Sequence, residues 1–252
     1  MKLLIKLKKL AIVALFILLY SCANITEEIY LNADGSGEYI VYTDVISSTR
    51  SMMLGMMGSL YPDASADSLR QIVDAQIWEQ FPVEVDSIMD FSSRIPDSIR
   101  NDPDQMKYVE KMVMFMKGSR KDGYLNSGMR FDFSSVEELQ NFNDFMSQNQ
   151  TGASNGMGME LPNMKVKYAF DGSTFSRTAV IEDLIEMSDS TLMMMGELLK
   201  GSKSRLKLHL PKRVKNASKD QLVGIVGKDV TYEFDLIKVV SGDQSSDIKV
   251  KF

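Results

Sequence analysis

The chain has 252 residues, with 29 Lys and Arg against 34 Asp and Glu, so its formal net charge is −5. Residues 1–21 hold four of the basic residues and no acid, so their removal leaves a net charge of −9. An acidic domain repels phosphate backbones, which excludes nucleic acid as a predicted partner. A single cysteine excludes a disulfide within the chain, and 44% hydrophobic residues predict a substantial packed core.

The first 21 residues have the order of a secretory signal peptide. Four lysines precede an unbroken apolar run from Leu10 to Tyr20, and Ser21 and Cys22 follow it. The run is shorter than the roughly 20 residues that span a bilayer as a helix, and no basic stop-transfer cluster follows. We therefore predict that residues 1–21 are a signal peptide, cleaved between Ser21 and Cys22.

The residues Leu19, Tyr20, Ser21 and Cys22 resemble the lipobox of bacterial lipoproteins. The resemblance implies that the Cys22 sulfur carries diacylglycerol and that its new amino group is acylated. Two or more acyl chains hold a protein stably on a membrane. The alternative is a free or buried cysteine after an apolar stretch. Lipidation predicts an envelope protein, and Ala23 in place of an aspartate favours the outer membrane over the inner one.

Two β-hairpins are predicted from alternating apolar residues on either side of an Asp-Gly-Ser turn. The first covers residues 26–45 around Asp34-Gly35-Ser36-Gly37, and the second joins strands at 164–171 and 174–181. Asp34 and Glu38 also bracket the first turn, but the alternating oxygen ligands and the closing glutamate of a calcium loop are missing from this sequence. We predict a turn there and no metal site.

Amphipathic helices are predicted where apolar residues recur at helical spacing after a capping residue. They run from Asp67 to Gln80, from Asp104 along a stripe of Met106, Val109, Met112, Val113 and Met116, after a capping box of Ser135 and Glu138, and over 184–199 after Asp183. Residues 82–103 contain three prolines and are predicted as a turn-rich connection that is either helical or made of a strand and a helix. Residues 147–160 are polar and are predicted as a flexible loop.

The remaining predicted strands lie at 124–134 and in the last fifty residues. In the last fifty residues, three short alternations of apolar residues predict three antiparallel strands. The alternating residues are Leu206, Leu208 and Leu210, then Val230, Tyr232 and Phe234, then Ile248, Val250 and Phe252. Because hairpins dominate, we predict the α+β class, with an antiparallel sheet and amphipathic helices packed on one face. A single domain is predicted over residues 26–252, after a lipidated tether at 22–25.

The lone histidine offers little catalytic chemistry. Alternation places His209 with Lys207 on the face opposite the leucines, which predicts a solvated side chain. Without a second histidine or a free thiol, the sequence supplies no zinc ligand set, Cys–His pair or Ser-His-Asp triad.

Acidic residues offer a second possibility, a carboxylate pair in an exported hydrolase. The candidate groups are Asp102 with Asp104, and Glu182 with Asp183 and Glu186. Both groups lie where helices are predicted to begin, and helix starts attract acids through capping and the macrodipole. The sequence therefore favours a non-enzymatic protein.

Methionine is unusually frequent, with 19 residues, and Met52, Met53, Met56 and Met57 form the largest cluster, in addition to the run from Met193 to Met195. Thioethers could hold Cu(I) in an exported protein, because copper(I) prefers soft ligands. They could also line an adaptable apolar groove for a lipid or a partner. The interpretation favoured by the spacing is that methionine replaces leucine in the core, so no cofactor is predicted.

Several motifs together resemble the LppM-like group of bacterial lipoproteins. They are the lipobox, the hairpin from Ile29 to Val45, the strand Phe175-Ser176-Arg177, and the stretch from Leu208-His209-Leu210-Pro211 through Asn216 to Val230-Thr231-Tyr232. The resemblance covers most of the chain after Cys22. It implies a lipid-anchored α+β envelope domain, with no catalytic residues to carry over.

The predicted function is a non-enzymatic, lipid-anchored binding or envelope-assembly module. An apolar groove or a sheet face would engage a lipid, a peptide or an envelope protein. The alternatives are an exported hydrolase with a carboxylate pair and a methionine-based copper-binding protein.

Overall fold

A computed structural model describes residues 24–61, 64–90, 95–149, 164–181 and 202–252. The described strands are β1 (Ile25–Leu31), β2 (Gly37–Asp44), β3 (Glu84–Met89), β4 (Met112–Ser119), β5 (Tyr124–Phe133), β6 (Met164–Phe170), β7 (Thr174–Ile181), β8 (Lys203–His209), β9 (Asn216–Ala217), β10 (Leu222–Val226), β11 (Asp229–Asp235) and β12 (Ile248–Lys251). The described helices are α1 (Val45–Leu60), α2 (Ala66–Gln80), α3 (Asp97–Arg100), α4 (Pro103–Lys111), α5 (Val136–Asn149) and α6 (Leu236–Val240).

The strands form two sheets. The larger has eight strands in the order β10-β11-β8-β1-β2-β5-β4-β3, and the smaller has four in the order β6-β7-β12-β9. All neighbours are antiparallel except β1 and β8, which run parallel. The predicted α+β class is confirmed, with a mixed sheet in place of a purely antiparallel one.

One face of the large sheet, here called the inner face, carries the core. Along β5, Leu125, Phe131 and Phe133 are buried, and even spacing puts them on the same face. Phe131 stacks on Phe142 of α5 with ring centroids 3.9 Å apart, in a core cluster that also includes residues of the small sheet, such as Val250. Leu125 belongs to a smaller cluster with α1 and α2. The helices of both clusters therefore cover one face, as predicted.

The first hairpin forms at the predicted turn, but it is followed directly by a helix. Val45 was expected to continue the second strand, whereas the Asp44 side chain accepts hydrogen bonds from Ile46 N at 3.0 Å and Ser47 N at 3.3 Å. These bonds satisfy amide groups that lack partners in the first turn of a helix. The cap therefore ends β2 and starts α1 at Val45.

The helix predicted from Asp104 through Met116 is wrong in its second half. α4 ends at Lys111, and Met112 begins β4, which pairs with β5 along its whole length and with β3 on its other side. The methionines fit the period of a helix and also the two-residue period of a strand, because Met112, Met114 and Met116 occupy alternate positions. Two long-range strand pairings decide in favour of the strand.

The three C-terminal strands are present, but they do not form one antiparallel unit. β8 and β11 are antiparallel neighbours, while β12 joins the small sheet between β7 and β9. Apolar alternation fixes which face of a strand is buried but does not specify its neighbours.

Other predicted elements are found with small changes. α2 ends at Gln80 as predicted, and Ser65 rather than Asp67 caps it. Ser135 Oγ accepts from Glu138 N at 3.1 Å, which is one half of the predicted capping box, and Glu138 Oε2 accepts from Ser134 N at 2.7 Å, one residue before the cap. Residues 147–149 belong to α5, not to a loop. The rest of the predicted loop, the predicted helix over 184–199, the signal peptide and Cys22 lie outside the described residues.

The described helices include none that combines the length and the apolar character needed to cross a bilayer.

Candidate functional site

The outer face of the large sheet, opposite the core, carries a compact group of polar side chains. We call it the outer-face cluster, and its members are Glu28, Tyr30, Tyr42, Lys207, His209 and Asp229. Strand register brings them together, because Glu28 pairs with Lys207, Tyr30 pairs with His209, and His209 pairs with Asp229. Along the strands they alternate with inward-facing residues such as Ile29 and Leu208, which directs these side chains to the outer face.

Glu28 is the centre of the outer-face cluster. Its Oε1 accepts from Tyr42 Oη at 2.8 Å and from Lys207 Nζ at 2.6 Å, and its Oε2 accepts from Tyr30 Oη at 3.0 Å. The Glu28 side chain is only 11% exposed. A charge withdrawn from water this far must be paired and hydrogen-bonded to be tolerated. The three donors meet that requirement and fix the carboxylate in position.

The electrostatics follow from this arrangement. Burial raises the pKa of Glu28, but the hydrogen bonds from Lys207 and Tyr42 outweigh it and hold that pKa below its ordinary value. Burial lowers the pKa of Lys207, but its hydrogen bonds to Glu28 and Tyr42 outweigh this and raise it. Burial and the negative charge of Glu28 raise the pKa of Tyr30 to about 12. At neutral pH the cluster is therefore an ion pair framed by neutral phenols.

His209 is on the predicted face, but the expectation of a solvated side chain is wrong. Its ring stacks on Tyr30 with centroids 4.0 Å apart, and its side chain is 25% exposed. Its Nδ1 lies 2.9 Å from Asp229 Oδ1, and its Nε2 lies 3.8 Å from Glu28 Oε2. Alternation predicts a face but not the neighbour on the next strand, and here the Tyr30 ring covers the imidazole.

The pair of His209 and Asp229 has the contact found between two members of a hydrolytic triad, but the second nitrogen of the imidazole is covered. His209 Nε2 is buried and has no hydrogen-bond partner among the described residues. A general base must reach the proton that it removes from a substrate. Nε2 is covered in this structure, with Glu28 Oε2 3.8 Å away, so it does not reach solvent.

A second polar group lies on the inner face, between the two sheets. We call it the inter-sheet cluster, and it consists of Glu27, Tyr39, Tyr168 and Arg177. Glu27 Oε2 accepts from Arg177 Nη2 at 3.1 Å, and Glu27 Oε1 accepts from Tyr168 Oη at 3.0 Å and Tyr39 Oη at 3.2 Å. All four side chains are buried. This cluster joins β1 and β2 to β6 and β7, so its role is structural.

Sequence reasoning missed most members of both clusters. Glu28 and Lys207 are 179 residues apart, and Glu27 and Arg177 are 150 residues apart. The signal that could have indicated them is a polar residue at every second position of an apolar strand. That signal marks a face but does not reveal which strands meet.

The methionine cluster lies in α1. Met53 and Met57 are partly buried and pack against the smaller core cluster. Met52 and Met56 belong to the same helix, and their side chains lie outside the described residues. The proposed groove or soft-metal role of the four residues therefore stays a prediction.

The first carboxylate pair lies at a helix start. Asp102 caps α4 by accepting from Asp104 N at 2.9 Å and Gln105 N at 3.3 Å, and Asp104 is an exposed neighbour of Lys107. The second group, residues 182–186, lies outside the described residues. Across the part of the chain that the structure describes, no three His, Cys, Asp or Glu side chains are grouped as metal ligands.

Comparisons with known proteins find similarity to a solved structure. No protein-family model and no curated protein matches the chain. Among solved structures, it is similar to the folded domain of the Mycobacterium tuberculosis protein LppM, determined by NMR, at 13% sequence identity and a TM-score of 0.38, over 91% of this chain and 88% of that one. At this similarity the likeness assigns neither a function nor site residues to this chain.

Proposed function

We propose that this chain is a lipid-anchored protein of the cell envelope whose domain binds a partner protein through the outer-face cluster and catalyses no reaction. The location is supported by the signal-peptide order of residues 1–21 and by the lipobox that ends at Cys22. The binding role is supported above all by Glu28, a carboxylate held by three hydrogen-bond donors on the sheet face opposite the described core helices.

The outer-face cluster has the properties of a preorganised recognition surface. Its charged groups are already held by hydrogen bonds, so binding would cost little side-chain entropy. Lys207 has three N–H donors and uses two of them on Glu28 and Tyr42, which leaves one for a partner. Tyr30 is 38% exposed and adds an aromatic surface of the kind enriched at protein interfaces.

The hydrolase and copper alternatives have no comparable support among the described residues. They would need the acidic group at 182–186 or the side chains of Met52 and Met56, and so they stay predictions.

Anchoring is tested by mass spectrometry of the chain purified from membranes. We expect a mature N-terminus at Cys22 that carries acyl mass. A Cys22→Ala variant should carry no lipid and should not be anchored to the membrane. A chain that begins at Met1, or a Cys22 without acyl mass, would contradict the proposal.

The binding role is tested with two variants of the anchored chain. Lys207→Met removes the free donor from the outer-face cluster, and Lys228→Met removes an exposed lysine from the turn after β10. After chemical cross-linking in whole cells, we expect one envelope protein to be lost from the Lys207→Met sample and retained with Lys228→Met. Equal cross-linking of both variants would show that the outer face does not bind that partner.

A further inference from the structure

We infer that the turn between β4 and β5 rests on the lipid headgroup layer and orients the tethered domain on an anionic membrane. We call residues 119–123 the hairpin tip. The inference rests on the proposed lipidation of Cys22. It goes further because it names a second, non-covalent membrane contact and the sheet end that faces the bilayer.

The first step is the length of the tether. Only three Cα-to-Cα steps separate Cys22 from Ile25, which begins β1, so these residues are at most about 11 Å apart. Asn24 is already held to the sheet, since its carbonyl accepts from Thr43 Oγ1 at 3.3 Å and its Oδ1 accepts from Lys203 N at 3.2 Å. A lipidated Cys22 therefore keeps this end of the sheet close to the headgroups.

The second step is that the hairpin of β4 and β5 extends past this end of the sheet. Ile25 is paired with Thr43, and Thr43 with Ser127. From Ser127, β5 continues outward for three more residues to Tyr124, or about 10 Å at about 3.4 Å per residue. The hairpin tip lies beyond Tyr124. It therefore extends about as far past Ile25 as the tether allows Cys22 to lie.

The lateral distance is also short. β5 is two places from β1 in the sheet, which is about 10 Å at the usual strand spacing. A domain tethered through Cys22 would therefore bring the hairpin tip to the same membrane patch.

The third step is the chemistry of the hairpin tip. It carries Arg120, Lys121 and Asp122, all exposed, for a net charge of +1 on a mature chain of −9. Val83 lies beside it, 60% exposed, and its carbonyl accepts from Arg120 N at 2.8 Å. The nearby carboxylate of Glu84 accepts from Ser119 Oγ at 2.9 Å. With Glu84 counted, the tip and its neighbour are neutral, on a domain that is otherwise acidic. Anionic headgroups attract the two exposed cations at the end of the hairpin, Arg120 and Lys121, and repel the acidic remainder of the domain.

The opposite end of the sheet supplies matched controls. The turn of the first hairpin contains Ser36, and the turn between β10 and β11 contains the exposed Lys228. Pairing of Tyr30 with His209 and of His209 with Asp229 puts both turns at the far end of β1. They lie about 24 Å from Ile25, the length of a seven-residue strand.

The experiment places one fluorophore on the full lipidated chain, in vesicles of phosphatidylcholine with or without phosphatidylglycerol. Acylation consumes the only native thiol, so a label enters at Lys121→Cys or at Ser36→Cys alone. With quencher-bearing headgroups, we expect quenching of the label at position 121, stronger with phosphatidylglycerol, and none at position 36. Equal quenching at the two positions, or quenching only at position 36, overturns the inference.

A charge variant separates headgroup contact from simple proximity. With the label at Asp122→Cys, the double substitution Arg120→Glu and Lys121→Glu should reduce the fraction in contact about tenfold or more on anionic vesicles. Lys228→Glu should leave that fraction unchanged. Equal effects of the two variants, or quenching that depends on protein density rather than on lipid charge, would mean that the tip contacts a second copy instead.

Mass spectrometry of the same sample keeps the two proposals apart. Acyl mass on Cys22 with an unquenched hairpin tip contradicts the headgroup contact and leaves the anchored binding protein standing. A Cys22 without acyl mass contradicts both.

Discussion

At the scale of single residues, Tyr30 combines burial, charge and stacking on the outer face. Its hydroxyl donates to Glu28 and its ring stacks on His209. The pKa of Tyr30 is raised to about 12 by burial and by the Glu28 carboxylate. A raised pKa in the folded state stabilises the protein below the ordinary value near 10, and this stabilisation is lost as the pH rises through about 12.

Absorbance titration of the tyrosines tests this electrostatic arrangement. The folded protein should show a component of tyrosinate absorbance that appears near pH 12. Burial also raises the pKa of Tyr42 and of Tyr232, so Tyr30→Phe should reduce the amplitude of that late component by one tyrosine rather than abolish it. Tyr61→Phe, at an exposed position after α1, should leave the amplitude near pH 12 unchanged. An unchanged amplitude near pH 12 in Tyr30→Phe would show that the Glu28 charge does not act on Tyr30.

The close approach of β2 and β5 depends on another residue of the outer face, Gly128. A Cβ added there would lie 2.2 Å from Val41 O and 2.6 Å from Tyr42 Cβ, so the two strands would have to separate. We expect Gly128→Ala to lower the free energy of unfolding by about 1–3 kcal/mol, the usual cost of overpacking. Urea unfolding measures it.

Gly224 in β10 is the matched control for Gly128. A Cβ there meets nothing within 4 Å, so Gly224→Ala should change stability by no more than about 0.5 kcal/mol. Equal stability of the two variants would mean that the spacing of β2 and β5 adjusts freely.

At the scale of elements, α1 and α2 form a helical pair with its own small core. Their contacts with the large sheet are concentrated on β5, through Leu125. Trp78, the single tryptophan, packs against this core and so reports on it. A unit with few contacts to the rest of a protein opens at lower free energy than the whole. Trp78 fluorescence should therefore change at lower urea than far-ultraviolet circular dichroism.

Two substitutions in α2 test this order of unfolding. Ile77→Ala removes a buried side chain of the small core. It should lower the free energy of unfolding measured by Trp78 fluorescence by about 2–5 kcal/mol. Ile72→Ala, at a largely exposed position of the same helix, should cost no more than about 0.5 kcal/mol. If Ile77→Ala shifts both spectroscopic transitions equally, the helical pair is part of one cooperative unit.

The elements that could be predicted are those whose signal is local. The turn at Asp34-Gly35, the capping residues Ser135 and Glu138 and the period of α2 lie within a few residues of the structure that they determine. β4 could not be recognised in this way, because its methionines satisfy a helical period as well as an alternating one. Its conformation depends on pairing with β3 and β5, which a local pattern does not contain.

At the scale of the whole molecule, the polar residues that matter are joined across long stretches of sequence. The parallel pairing of β1 and β8 creates the outer-face cluster, and the packing of the small sheet on the large one creates the inter-sheet cluster. Neither arrangement follows from alternation alone, since alternation predicts faces and not partners. The fold class was therefore predictable from sequence, while the candidate site was not.

The Arg177 side chain links the two sheets, and its removal gives the sharpest test of their coupling. Its Nη2 donates to Glu27 and its Nη1 donates to Ser246 O at 3.3 Å. Burial lowers the pKa of Arg177, but the charge of Glu27 outweighs it and raises that pKa. Arg177→Met leaves a buried carboxylate without its cation, which should lower the free energy of unfolding by about 3–5 kcal/mol.

The companion variants show whether charge or packing is responsible. Adding Glu27→Gln to Arg177→Met removes the stranded charge and keeps an acceptor oxygen for Tyr39 and Tyr168, so we expect much of the lost stability to return. Arg205→Met breaks the exposed pair with Glu233 and should cost about 1 kcal/mol or less. If urea unfolding shows no larger loss for Arg177→Met than for Arg205→Met, the sheets are held by apolar packing alone. A large loss that Glu27→Gln reverses instead assigns their alignment to one buried ion pair.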